Sequence, residues 1–185
     1  MNVFRRKQKR EQTRTDYGLI LDTYGRQLMS YVARITGSGS AAEDVVQETF
    51  VKFSQHWRGE IAPGPAVSAW LYKTAHNTAI DLIRREKTRR ESDERHYRER
   101  EINGENNAPD SLPETAASAS AVRKALASLS ERERSLVVLK IYENKSYREI
   151  GEITGLKIGN IGFILHTAMK KLAKSISFDK EGEGR

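Results

Sequence analysis

The chain has 185 residues, 37% hydrophobic and 31% charged, with a net charge of +7 and a pI near 9.6. That length has room for one or two small domains, and the basic balance points to a polyanionic partner, nucleic acid ahead of an anionic membrane surface. The lack of cysteine excludes disulfides, thiolate metal sites and cysteine nucleophiles together. No apolar run approaches the roughly 20 residues that span a bilayer, and the basic first 15 residues lack the apolar core of a signal peptide. These features set the expectation of a cytoplasmic protein without direct membrane insertion.

Residues 1–15 carry Arg5, Arg6, Lys7, Lys9, Arg10 and Arg14 against Glu11, and read as a basic flexible tail. From Tyr17, the positions Ile20, Leu21, Tyr24, Leu28, Tyr31, Val32 and Ile35 recur at helical spacing, and Gly37-Ser38-Gly39 should end that helix. Ser40-Ala41-Ala42-Glu43 has the form of a capping box, so a second helix should open there. Its apolar stripe is Ala42, Val46, Thr49, Phe50, Phe53 and Trp57. The opposite side carries Asp44, Gln47, Glu48 and Val51, an acidic face around an apolar residue that suits either solvent or a basic partner helix. Residues 59–65 contain Pro63-Gly64-Pro65 and read as a loop.

The next helix, across residues 70–85 with Ser68 as its expected N-cap, places Leu71, Ala75, Thr78, Ala79 and Leu82 on one side. Trp70, Lys73, His76, Asn77 and Arg84 fall on the opposite arc, with Ile80 less ideally placed. Such an arc can neutralise phosphates through its cations and offer a ring for stacking of an unpaired base. The alternative is a solvated helix whose Trp70 packs on a neighbour. Residues 86–105 are almost all charge and could extend the preceding helix for some turns, and 103–120 have almost no apolar content, so 91–120 reads as a flexible polar linker between two units, 16–90 and 121–176.

Beyond the linker, Val122, Leu126 and Leu129 begin a further helical pattern. Ser130-Glu131-Arg132-Glu133 and Ser146-Tyr147-Arg148-Glu149 are two more capping boxes. The second opens a short helix that Gly155 should break, and a longer helix runs from about Ile158 to Ser175, ahead of a tail at 177–185. This is the layout of a helix-turn-helix, with Ile150, Ile153, Leu156, Ile161 and Leu165 as its expected core. On the last helix a wheel turns Asn160, Phe163, Thr167, Lys170 and Lys174 outward, behind Lys157. Asn can pair with adenine, Phe and the Thr methyl can touch a thymine methyl, and lysines suit phosphates. Gly159 and Gly162 each weaken this helix by about 1 kcal/mol relative to alanine. The fold class expected is all-α: two small helical domains joined by a polar linker, the second a helix-turn-helix.

Tyr24-Gly25-Arg26, Ala42-Glu43-Asp44-Val45-Val46-Gln47-Glu48-Thr49-Phe50, Ala69-Trp70-Leu71, Ala75-His76-Asn77 and Asp81-Leu82-Ile83-Arg84-Arg85 are joined by Leu129-Ser130-Glu131-Arg132-Glu133 and Ser146-Tyr147-Arg148-Glu149-Ile150-Gly151. In this order the motifs resemble those of bacterial RNA polymerase sigma factors of the extracytoplasmic-function type, across 24–85 and 121–175. The resemblance implies a specificity subunit without enzymatic activity or cofactor. Its partners would be RNA polymerase core, through the clamp coiled coil and the flap, promoter DNA and, as in many relatives, an anti-sigma factor. It implies that Asp44, Gln47, Glu48 and Val51 meet the polymerase coiled coil. Trp70, Lys73, His76, Asn77 and Arg84 would meet the −10 strand, with loop 59–65 gripping a flipped base. Lys157, Asn160, Phe163, Thr167, Lys170 and Lys174 would meet the −35 duplex. The last helix departs from the family habit of several arginines.

Two other functions compete. A stand-alone helix-turn-helix regulator would bind duplex DNA without polymerase. A carboxylate-bridged metal enzyme would draw on Glu43, Asp44, Glu48 and His56, but Glu43 and Asp44 point about 100° apart and no Glu-x-x-His pair exists. Asp93-x-x-His96 has metal-like spacing but falls in the charged linker.

Overall fold

A computed structural model describes the backbone of residues 2–97 and 116–182 and the side chains of 16–90 and 122–174. The described residues are helical and contain no strand, as the sequence suggests. The first unit consists of α1 (Asn2–Thr36), α2 (Gly39–His56) and α3 (Pro65–Tyr97). The second contains α4 (Ala116–Ala127), α5 (Glu131–Val137), a π-helical turn at Val138–Tyr142, α6 (Tyr147–Thr154) and α7 (Ile158–Gly182).

Ile20, Leu28, Val32 and Ile35 of α1 close on Val45, Val46 and Phe53 of α2 and on Leu71, Ala75 and Ala79 of α3. Leu21, part of the apolar pattern of α1, is exposed. The helix-turn-helix core is as expected: Ile150, Ile153, Ile161 and Leu165 are buried, and Leu156 packs against them.

Local chemistry sets most helix ends. Ser130 and Ser146 each accept from the backbone N–H three residues on, while Glu133 and Glu149 reach back to the caps, so both capping boxes form. Gly155 takes a left-handed φ of 74° and its N–H donates to the Gly151 carbonyl, which stops α6. Two starts differ from expectation. Ser38, not Ser40, caps α2, its hydroxyl accepting from the Ala41 N–H, because Gly37 at φ 76° ends α1 one residue earlier. For α3 the first helical residue is Pro65, with the Ser68 N–H donating to the Gly64 carbonyl. Proline is suited to that place because its fixed φ is already helical and no donor is wasted.

The irregular segments are also shorter than expected. The backbone of α1 reaches back to Asn2 through the basic tail, a stretch with neither proline nor glycine to stop it. α3 continues to Tyr97, the extension into the charged stretch that the sequence allows, while α4 begins at Ala116 within the low-apolar stretch, where alanines favour helix, and α7 runs on to Gly182. Asp93 and His96 lie outside the described side chains.

Candidate polymerase and nucleic-acid interface

On α2, Asp44, Gln47, Glu48 and Val51 all point to solvent, and Val51 is 53% exposed. Lys52 pairs with Glu48 at 2.7 Å and also donates to Thr78 Oγ1 at 3.2 Å, so this edge of the acidic face is tied to α3. Asp44 and Gln47 stand clear of that pair on the exposed side.

Loop 59–65 is held at both ends. Trp57 Nε1 donates to the Glu60 carbonyl at 3.0 Å, and a Cβ at Gly59 would come within 2.7 Å of the Trp57 ring. Only glycine therefore lets the loop fold over that indole. At the other end, the Tyr24 hydroxyl accepts from the Gly64 N–H at 2.9 Å and donates to the Gly64 carbonyl at 3.2 Å. The start of α3 is thus fixed to α1.

The outer arc of α3 is only partly as expected. Lys73, Asn77 and Arg84 are exposed. Trp70 is half-buried: its ring lies 5.5 Å from Phe53 and 6.2 Å from Trp57, edge-on to both. Ile80 is half-buried as well. His76 is inside, 8% exposed, with its Nδ1 and the Tyr31 hydroxyl sharing a 2.9 Å hydrogen bond. Burial, reinforced by the charge of Arg84, pushes its pKa down to about 4, so it is a neutral packing residue at pH 7. The expectation of an exposed His76 fails because α3 has neighbours on more than one side: it packs on α1, on α2 and on α6. A wheel with a single apolar side does not register the last of these.

Several groups in this region were not singled out in the sequence. The Tyr72 hydroxyl donates a short hydrogen bond to the Glu143 carboxylate, and Tyr31 and Tyr72 lie ring to ring at 5.5 Å. Burial raises the pKa of both phenols, with Glu143 adding to the effect, so both keep their protons. Tyr31 stands in the apolar repeat of α1, whose signal is that a buried phenol has to find a partner for its O–H; Tyr72 and Glu143 carry no such signal.

On α7, Lys157, Asn160, Lys170 and Lys174 are exposed and Phe163 is 73% exposed. Thr167 is half-buried, its hydroxyl donating to the Phe163 carbonyl at 3.1 Å. Beside them, the exposed Lys171 pairs with Glu133 at 2.7 Å, which anchors α7 to the cap of α5. The Lys171 ammonium, with help from Ser130, holds the Glu133 carboxyl below its ordinary range. Gly162 fits against the Tyr147 ring of α6, 3.7 Å from where its Cβ would be, so the weak helix former is matched by close packing.

A family model of sigma-70 region 2 matches residues 20–89, and one of sigma-70 region 4 matches 119–172. The RNA polymerase sigma factor CarQ of Myxococcus xanthus is 31% identical over 150 residues, covering 79% of this chain and 80% of that protein. The chain belongs to the sigma-70 family of RNA polymerase sigma factors. The sigma factor YlaC of Bacillus subtilis (strain 168) is 26% identical over 160 residues, 86% of this chain and 91% of that protein. Among solved structures, the sigma factor RpoE in complex with the anti-sigma factor NepR from Bartonella quintana superposes with a TM-score of 0.66 at 22% identity. That match covers 89% of this chain and 98% of RpoE, and it establishes a shared fold. Other relatives are extracytoplasmic-function sigma factors by name, which places the chain in that group. In family terms, α1 to α3 form region 2, and α4 to α7 form region 4 with its helix-turn-helix.

Proposed function

We propose that this chain works in the cytoplasm as a promoter-specificity subunit, a binding protein rather than a catalyst. The acidic face Asp44, Gln47, Glu48 and Val51 docks on a basic helix of the polymerase clamp. Lys73, Asn77 and Arg84 line the path of the opened −10 strand, with the exposed edge of Trp70 beside them. Lys157, Asn160, Phe163, Thr167, Lys170 and Lys174 face the −35 duplex. Region 4 also reaches the polymerase flap. RpoE is held by an anti-sigma factor, and the reading includes such a partner here.

The observation that best supports this reading is the exposed line Lys73, Asn77, Arg84 on the same region 2 unit that presents the acidic face, behind a helix-turn-helix whose outer side is also free. Strand opening requires contacts that duplex DNA cannot make, and a groove of cations, an amide and an aromatic edge can make them. The test is a pull-down with purified polymerase core, followed by transcription from duplex and premelted promoters. Co-purification with core and promoter-dependent transcripts are expected. Tight binding to duplex DNA with no association with core would instead identify a stand-alone regulator.

A further inference from the structure

The basic stretch ahead of region 2 has no part in the reading above. The sigma-70 region 2 match begins at residue 20, whereas the helical backbone of α1 already starts at Asn2. Six cations against Glu11 give residues 1–15 a net charge of +5, which leaves +2 for the rest of the chain. Most of the basic balance therefore sits on one helical arm. Register sets the direction of this charge. Arg14, Arg10 and Arg6 stand three, seven and eleven residues before Tyr17, the spacing that keeps to one face of a helix. Tyr17 marks what that face meets: its ring lies edge-on to Phe53 at 5.7 Å, and its hydroxyl donates to the Ser54 carbonyl at 3.4 Å. Phe53 in turn stacks on Trp57, which holds loop 59–65, and touches Trp70. The face to which the three arginines belong thus continues past the loop end of region 2, on the side of α2 and α3 rather than behind them.

We propose that residues 5–14 form a further DNA-binding element, which holds the phosphate backbone of promoter DNA beyond the loop 59–65 end of region 2, whatever its base sequence. The proposal rests on the promoter-binding reading above, in which Trp70 lies beside the opened strand. Tyr17 and Trp70 both touch Phe53, so the root of the arm lies within about 11 Å of Trp70. At 1.5 Å per residue, Arg14 to Arg6 spans about 12 Å and the whole arm about 20 Å, the length of roughly six base pairs. Composition selects the partner. Arg5 to Thr15 contains no hydrophobic residue. A helix lying on a membrane needs an apolar face, and a protein interface needs an apolar or aromatic centre. What accompanies the cations is Gln8, Gln12, Thr13 and Thr15, amides and hydroxyls from which phosphate oxygens accept. An arm of this kind adds affinity through counterion release and carries no base preference.

The test compares two double variants of the full chain that each remove two charges from the arm. Arg6→Gln with Arg10→Gln lies on the face of Tyr17, and Arg5→Gln with Lys9→Gln lies off it. Glutamine keeps the helix propensity, which circular dichroism checks. Promoter binding by the polymerase holoenzyme is then measured against salt concentration. The face pair should make the plot of log K against log salt shallower by about 1.4–1.8, at 0.7–0.9 per phosphate, on promoters of any flanking sequence. The off-face pair should have less than half that effect. A slope equal to wild type in the face pair overturns the proposal, and so do equal losses in both pairs. Loss of binding to phosphatidylserine vesicles, or of affinity for core, with the promoter slope unchanged would assign the arm to a membrane or a protein and overturn it as well. If the wild-type chain brings core to no promoter, the promoter reading fails, and the free chain is titrated with plain duplex. There a shallower slope in the face pair alone keeps the arm as a DNA-binding element, and equal slopes overturn it.

Discussion

Drawn on a helical wheel, α3 and α7 have the same design: an apolar side and an outer arc of amide, aromatic and cation. In the folded chain the arcs diverge. On α7 the aromatic Phe163 is largely exposed, and Asn160, Lys170 and Lys174 are exposed beside it. On α3 the aromatic Trp70 joins a cluster with Phe53 and Trp57, and His76 is drawn inside to Tyr31. The cause is the number of neighbours. Among the described residues the outward Asn160, Phe163, Lys170 and Lys174 of α7 are exposed, whereas α3 is held by α1, α2 and α6. A helix packed on several sides uses its polar and aromatic residues as joints, and only those between the joints remain for a ligand.

The largest expected effect bears on the aromatic half of that contrast. Trp70→Ala should cost about 2–3 kcal/mol of stability, less than for a fully buried ring, since it removes the edge contacts to Phe53 and Trp57. Phe163→Ala, at an exposed site, should change stability by less than about 0.5 kcal/mol while weakening duplex binding. Urea titration of both variants measures the difference. If Trp70→Ala unfolds at the wild-type midpoint and loses only open-complex formation, Trp70 belongs to the DNA arc and the contrast disappears.

His76 sharpens the comparison through pH. Its folded pKa of about 4 lies below the ordinary 6.5, so between these values the unfolded chain binds a proton that the folded chain refuses. Stability should therefore fall as pH drops through this window, by about 2 kcal/mol between pH 7.5 and pH 5. The carboxyls of Glu133 and Glu149 are held below 4.5, so their contributions fade only at lower pH and do not obscure the effect. In His76→Asn the slope above pH 5 should flatten. An unchanged slope would assign it to other groups.

Smaller effects probe the exposed arcs themselves. Asn160→Ala should relax preference at one or two base pairs by about 1–3 kcal/mol, whereas Lys170→Ala and Lys174→Ala should weaken all sequences alike and each lower the salt slope by about one. Equal weakening of every sequence by Asn160→Ala would remove it as a reader. Asp44→Lys with Glu48→Lys should reduce affinity for core at nearly constant melting temperature, because the exposed Glu48–Lys52 pair is worth only about 0.3–0.5 kcal/mol. Core affinity equal to wild type would remove the acidic face from the interface.

These differences follow the range of the forces that set each feature. Capping boxes at Ser130 and Ser146 and the glycine stop at Gly155 depend on groups within a few residues, and the structure has them where the sequence pattern puts them. The apolar core of the helix-turn-helix was legible for the same reason. Local competition misled at Ser40 and Ser68, where Ser38 and Pro65, two and three residues earlier, already satisfy the helix start. The burial of His76 was not legible, because its partner Tyr31 lies on another helix and the α6 side of α3 belongs to a distant part of the chain. Glu143 and Lys145 were missed likewise: nothing in their neighbourhood signals that a π turn will swing them onto Tyr72 and Ser68.

The carboxylate of Glu133 both closes the cap of α5 and pairs with the exposed Lys171 of α7. The seating of α7 is thereby tied to a residue on a different element. Aim and alphabet are separable in such an arrangement. In the proposed reading, exchanging outward side chains of α7 gives the chain a new −35 preference while the Glu133–Lys171 pair keeps the helix seated as before. Engineering of promoter choice in this scaffold should leave Ser130, Glu133 and Lys171 untouched and vary only the outer side.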